Sequence, residues 1–278
     1  MSGAEGQAQG QETRFKLRVR YQKAGRLAYL GHLEVIQTVE RSIRRAGLPY
    51  AVSQGFSPRM RVGYSSALPV GTTSRCEWYD LLLTELVPAP EAAERLVAAT
   101  PADLAPSRAG YVDVRTPALT AQVTRLRYRV VLHPAEGEAL DAAAVSRALD
   151  GVRALGSVPY LRGRKRKVLD MDRLLVEADA CEAGEGAVEL ALDTRVDNAG
   201  SLRPEILLSA VDLELRGVPE GEWAIESTGA PSYVSFPRAE IERCAQLIER
   251  PDGSLVEPLA AGASEGVRPP RSAALGMV

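Results

Sequence analysis

Residues 14–21 (RFKLRVRY) alternate without exception: Phe15, Leu17, Val19 and Tyr21 fall on one face, and Arg14, Lys16, Arg18 and Arg20 on the other. A period of two is the mark of a half-buried strand. The pattern returns at residues 124–130 (TRLRYRV), where Leu126, Tyr128 and Val130 oppose Arg125, Arg127 and Arg129. Two such strands, each bringing a row of cations to one face, predict a chain built from two similar halves. Like charges side by side on a strand repel, so each row calls for solvent or an anionic partner.

The segments after each strand follow one order. In the first half, Leu33, Ile36, Val39, Ile43 and Ala46 share one side of a helical wheel, and Gly47 follows as a stop. Strands are predicted near Tyr50, over 59–65 and over 76–86, then a helix over 90–99 and a strand over 111–115. The second half reads as a strand over 125–132, a helix over 139–149, strands over 160–169 and 187–193, a short helix after Pro204, and a strand over 211–216. This is β-α-β-β-α-β twice: an α+β chain of two ferredoxin-like halves, 14–118 and 119–218, with antiparallel sheets and helices on one face. Residues 219–250 read as a C-terminal extension. Residues 1–13 and the Gly-, Pro-, Ala- and Ser-rich 251–278 read as disordered.

Charge distribution says more than net charge, which is only −2. Residues 14–64 hold eleven basic side chains against two acids, Glu34 and Glu40, and residues 159–173 hold six against two. Such concentration points to an anionic partner. Thirty of the 34 basic residues are Arg in an Ala-rich chain, a bias that a GC-rich genome also produces. The position of the charges is therefore the better signal. The candidate nucleic-acid-binding residues are Arg14, Lys16, Arg18, Arg125, Arg127 and Arg129 on the strand faces, Arg41 and Arg45 on the first helix, Arg59 and Arg61, and Arg164, Lys165, Arg166 and Lys167. Phe56, in a Gly-Phe-Ser-Pro loop, is the candidate for stacking on an unpaired base. Phe15, Tyr21 and Tyr64 read as core.

His32 opens the first helix two residues before Glu34. It reads either as a general base or anion contact, or as a plain turn histidine. No P-loop, dinucleotide fingerprint, zinc-protease helix or nucleophile elbow occurs. Two histidines and three scattered cysteines (Cys76, Cys181, Cys244) predict no metal site and no cofactor. The polar first dozen residues and the lack of a long apolar run predict a cytoplasmic protein without membrane association.

The run Lys23-x-Gly25-x-Leu27-x-Tyr29-Leu30-Gly31-His32-Leu33-Glu34 is followed by Arg41-x-x-Arg44-Arg45-Ala46-Gly47-Leu48-Pro49, then Gly55-Phe56-Ser57-Pro58-Arg59-Met60-Arg61, then Leu68-Pro69-Val70-Gly71-Thr72-Thr73-Ser74-x-x-Glu77. This resembles the radical-SAM-linked protein family, encoded in bacteria beside, or fused to, cobalamin-binding radical SAM proteins. The resemblance implies a radical SAM enzyme as partner. The chain lacks the cysteines to be that enzyme, so an accessory role that presents RNA, of the tRNA or rRNA class, is the leading expectation. In layout it is also similar to the repeat-associated CRISPR endoribonucleases, which implies an acid–base enzyme using His32 as an alternative. A third expectation is an interaction module that docks on an acidic patch of the partner.

Overall fold

A computed structural model describes residues 14–197, 200–227 and 231–260. The first half comprises β1 (Phe15–Lys23), α1 (His32–Arg45), β2 (Val62–Tyr64), β3 (Thr73–Leu83), α2 (Ala89–Ala99) and β4 (Pro106–Val112). Its strands lie in the order β4-β1-β3-β2, every neighbour antiparallel. Leu17, Val19 and Tyr21 of β1 and Tyr79, Leu81 and Leu83 of β3 pack under Val35, Val39 and Ile43 of α1 and Leu96 of α2. Each such burial stabilises by about 1.5–3 kcal/mol. At the start of α1 the Gly31 N–H donates to Glu34 Oε2 (2.7 Å), which satisfies a backbone donor that the helix leaves open.

After the single turn α3 (Leu119–Gln122), the second half runs β5 (Arg125–His133), α4 (Ala142–Ala154), β6 (Ser157–Arg162), β7 (Lys165–Asp170), the turn α5 (Met171–Leu174), β8 (Leu175–Glu182), β9 (Val188–Asp197), β10 (Gly200–Ser201), α6 (Pro204–Leu215), β11 (Arg238–Glu249) and β12 (Leu255–Val256). Its main strands lie in the order β11-β5-β9-β8, again antiparallel. In both halves the last strand flanks the first, the first flanks the third, and the third flanks the second. β11 also runs parallel to β3 at Glu242–Thr73 and Arg243–Ser74, which fuses the halves into one mixed sheet. Leu126, Tyr128, Val130 and Leu132 of β5 pack against α4 and the strongly apolar α6.

Several sequence expectations need correction. The sheet is continuous and mixed, not two separate antiparallel sheets. The strand expected over 160–169 is the hairpin β6–β7, which stands off the main sheet. Residues 211–215 lie in α6, so the strand expected over 211–216 is absent. The second half does not end at 218, because the supposed extension 219–250 supplies β11 at the centre of the sheet. Nor is the tail formless from 251: β12 pairs with β11, and Leu259 packs with Trp78 and Leu119 on the sheet face opposite the helices. Residues 1–13 and 261–278 lie outside the described residues. Among the described residues no helix is long and apolar enough to cross a membrane.

Candidate nucleic-acid interface

The two cation rows sit on one sheet face, but acids from neighbouring strands meet them. Arg18 is almost wholly buried and donates to both carboxylate oxygens of Asp80 on β3 (2.8 and 2.9 Å) and to the Pro258 carbonyl (2.9 Å). Lys16 donates to the Thr116 carbonyl (2.6 Å). Arg20 and Arg108 share Glu257, each at 3.1 Å. In the second half Arg125 binds Asp193 (3.0 Å) and Glu249 (3.3 Å), Arg127 binds the other Asp193 oxygen (3.0 Å), and Arg129 binds Glu189 (2.6 Å). Arg14 is half-buried and also has a partner. The expected platform of outward, unpaired guanidinium groups is therefore not formed. Strand register sets the chain's own acids against the rows, and the 255–260 segment covers Arg18 and Trp78.

The hairpin β6–β7 behaves differently. Val158 and Leu169 bury its base, and two backbone hydrogen bonds of 2.8 Å (Leu161 N–H to Ile225, Ser227 N–H to Leu161) tie it to the chain after α6. Its end is exposed throughout residues 162–168. Arg162 faces Lys165 directly across the hairpin, and Leu161 faces Arg166. A like-charge cross-strand pair is unfavourable without a counterion. Arg162, Arg164, Lys165, Arg166 and Lys167 have no ion pair among the described residues.

On α1, Arg44 pairs with Glu40 (3.1 Å). Arg41 and Arg45 are exposed, with Arg41 donating to Thr38 Oγ1 (3.2 Å). Phe56 is fully exposed at the end of a loop closed by the Val52–Met60 bridge, with Arg59 and Arg61 exposed at its return. This loop and the hairpin come from different halves.

His32 is the first residue of α1 and stands edge-on to Tyr64, ring centroids 6.1 Å apart. Burial lowers its pKa; Glu77 opposes that shift and Lys23 adds to it. The fold thus favours the neutral imidazole. It has no hydrogen-bond partner among the described residues, so nothing orients it as a base.

What the sequence did not reveal lies at the joint between the halves. Arg243 of β11 is fully buried and donates to both oxygens of Glu77 on β3 (2.9 and 2.5 Å), and also to the Ser66 hydroxyl (3.2 Å) and carbonyl (2.9 Å). Burial disfavours the Arg243 charge most strongly, but Glu77, with Tyr128 and Cys76, outweighs it and the net shift is upward. Lys23, also buried, donates to the Pro69 carbonyl at 3.4 Å, and burial lowers its pKa. Lys23, Glu77 and the 68–72 turn are motif residues, so the motif had marked this joint without showing its partner, Arg243. Within the first half, Gly25 adopts φ +50°, and an added Cβ there would lie 2.4 Å from Asp103 Oδ2. Beyond the 68–72 turn, a groove of about 900 Å³ opens between the halves, walled by Tyr29, Leu68, Val70, Arg203, Tyr233 and Ile241. Among the described residues, no group of three or more His, Cys, Asp or Glu side chains could hold a metal ion.

Residues 16–204 match a family profile described as an uncharacterized protein conserved in bacteria (DUF2344). The chain belongs to that family. The DUF2344 match takes in every motif segment and the basic hairpin but stops at the start of α6, so β11 and Arg243 fall outside it. No curated protein matches the chain. Among solved structures, the chain is similar to one in a Cbf5–Nop10–Gar1 complex, at 10% identity over 83% of this chain and 48% of that one, with a TM-score of 0.43. It thus spans about half the length of that chain. A protein provisionally assigned as a glycine cleavage system transcriptional repressor aligns at 11% identity over 74% and 90% of the two chains, with a TM-score of 0.20. Neither likeness carries an argument about activity.

Proposed function

We propose that this DUF2344 protein is a cytosolic, non-catalytic RNA-binding accessory protein for a radical SAM enzyme, and that it holds the RNA backbone on the β6–β7 hairpin. The observation that carries this reading is the contrast between the two sets of cations. Every cation of the sheet rows has a protein partner, whereas the five at the hairpin end have no acid partner among the described residues. An exposed basic ribbon with facing like charges suits phosphates spaced along a strand. The radical SAM partner rests on the sequence motifs alone. The repeated strand order supports reading the halves as two ferredoxin-like units, the second carrying the hairpin as an insertion between its first helix and second strand.

The test is whether small structured RNA binds at low salt, and whether neutralising the hairpin removes that binding. If the hairpin instead docks on an acidic face of the partner enzyme, copurification with that enzyme survives nuclease treatment and free RNA does not bind.

A further inference from the structure

The groove between the halves has the make-up of a ligand site. Its volume of about 900 Å³ is within the range of small-molecule pockets. At its rim stands Tyr29, 72% exposed although it belongs to a tight 3-10 turn, Gly25–Tyr29. Gly71 lies across from this ring: the position of its missing Cβ is 3.9 Å from Tyr29 Cε1, and its N–H donates to Ala28 (2.9 Å). The backbone beside the ring is therefore fixed, and the ring itself is uncovered. The opposite wall carries Arg203, which donates to Glu205 at 3.4 Å. Tyr233, only 7% exposed, and Ser227 line the same groove, and both hydroxyls are buried without a hydrogen-bond partner among the described residues. Buried hydroxyls are normally satisfied, so each of these two can still take a partner that enters beside it. Ser227 is also the residue whose N–H binds the basic hairpin at Leu161.

We infer that this groove binds a single nucleotide. The base stacks on Tyr29, its polar edge meets Ser227 and Tyr233, and its phosphate meets Arg203. The inference deepens the RNA reading above and rests on it, because Ser227 of the groove is tied to the hairpin at Leu161. A free mononucleotide offers the same chemistry.

The experiment is saturation-transfer NMR on the full chain with the four nucleoside 5′-monophosphates, beside titration with a short single-stranded RNA of mixed sequence. Three variants are compared: Tyr29→Ala, which alters only an exposed ring, Tyr233→Phe, which removes only a hydroxyl, and the hairpin substitution Arg164, Lys165, Arg166 and Lys167→Ala. At least one monophosphate is expected to bind through its base protons, with affinity about tenfold weaker in Tyr29→Ala and weaker in Tyr233→Phe, and unchanged in the hairpin variant. If no monophosphate binds but RNA affinity falls in both tyrosine variants, the site stands with the strand as its source. If neither ligand responds to Tyr29→Ala or Tyr233→Phe, the site is refuted, while loss of RNA binding in the hairpin variant keeps the hairpin reading. Monophosphate binding with no RNA binding at all refutes the RNA reading and leaves the groove site intact.

Discussion

Arg18 and Asp80 face each other across β1 and β3 and are joined by two parallel hydrogen bonds of 2.8 and 2.9 Å, closed off from water by the Pro258 carbonyl at 2.9 Å. This pair turns the centre of the first cation row from a ligand surface into part of the interior. A buried, bidentate pair is strongly damaged by loss of one partner, because the other charge stays buried alone. Asp80→Ala is expected to destabilise the protein by about 3–5 kcal/mol in urea unfolding. Replacing both partners (Arg18→Met with Asp80→Leu) should restore most of that. A single-substitution loss under about 1 kcal/mol contradicts a desolvated pair.

The chain's own C-terminal segment closes the same sheet face. Leu259 is buried against Trp78 and Leu119. Leu259→Ala should cost about 2 kcal/mol and shift Trp78 fluorescence to longer wavelength. Unchanged emission and stability would mean that this segment does not cover Trp78 in solution.

Much of this architecture was legible in the sequence. Alternation located β1 and β5, the apolar stripe ending at Gly47 located α1, and Pro204 marked the start of α6. The rest depended on distant residues. A row of arginines on a strand reads the same whether water or acids face it, and Asp80, Glu189, Asp193, Glu249 and Glu257 are remote in sequence. β11 (RAEIERCAQLIE) has the charge content of a solvated segment because one of its faces is ion-paired within the sheet. Its Arg243 is buried by Glu77 from the other half, which no local pattern encodes. The hairpin hid inside one expected strand because Gly163, at φ +59°, makes its turn without a Pro or an Asn-Gly pair.

Thiol chemistry follows from burial. Burial first, then Glu77, raises the Cys76 pKa to about 12, so only roughly one thiol in ten thousand is ionised at pH 8. Cys181 is exposed. Ellman's reagent at pH 8 should react with Cys181 within minutes, with the other exposed thiol, Cys244, more slowly because burial raises its pKa, and with Cys76 only after denaturation. Rapid native labelling of Cys76 contradicts the closed joint.

His32 sets an acid limit on stability. Its pKa is lowered from 6.5 in the fold, mainly by burial, so below pH 6.5 the unfolded chain takes up the proton more readily. Stability due to the neutral ring is complete above that pH and is lost as pH falls toward the lowered folded value. The urea midpoint of the wild type should drop more between pH 7.5 and 5.5 than that of His32→Gln. Equal drops would show that the ring titrates freely. His32→Gln should also leave RNA affinity unchanged, since the imidazole faces the joint and not the hairpin.

The central claim is that the hairpin, not the sheet rows, meets the polyanion. The measurement is the slope of log affinity against log salt for a short single-stranded RNA. Five hairpin contacts at about 0.7 each predict a slope near −3.5. Arg164, Lys165, Arg166 and Lys167→Ala should reduce it to roughly −0.7, whereas Arg127→Ala with Arg129→Ala should keep the wild-type slope. A hairpin variant with the wild-type slope, or a wild type that binds no RNA at low salt, contradicts the account.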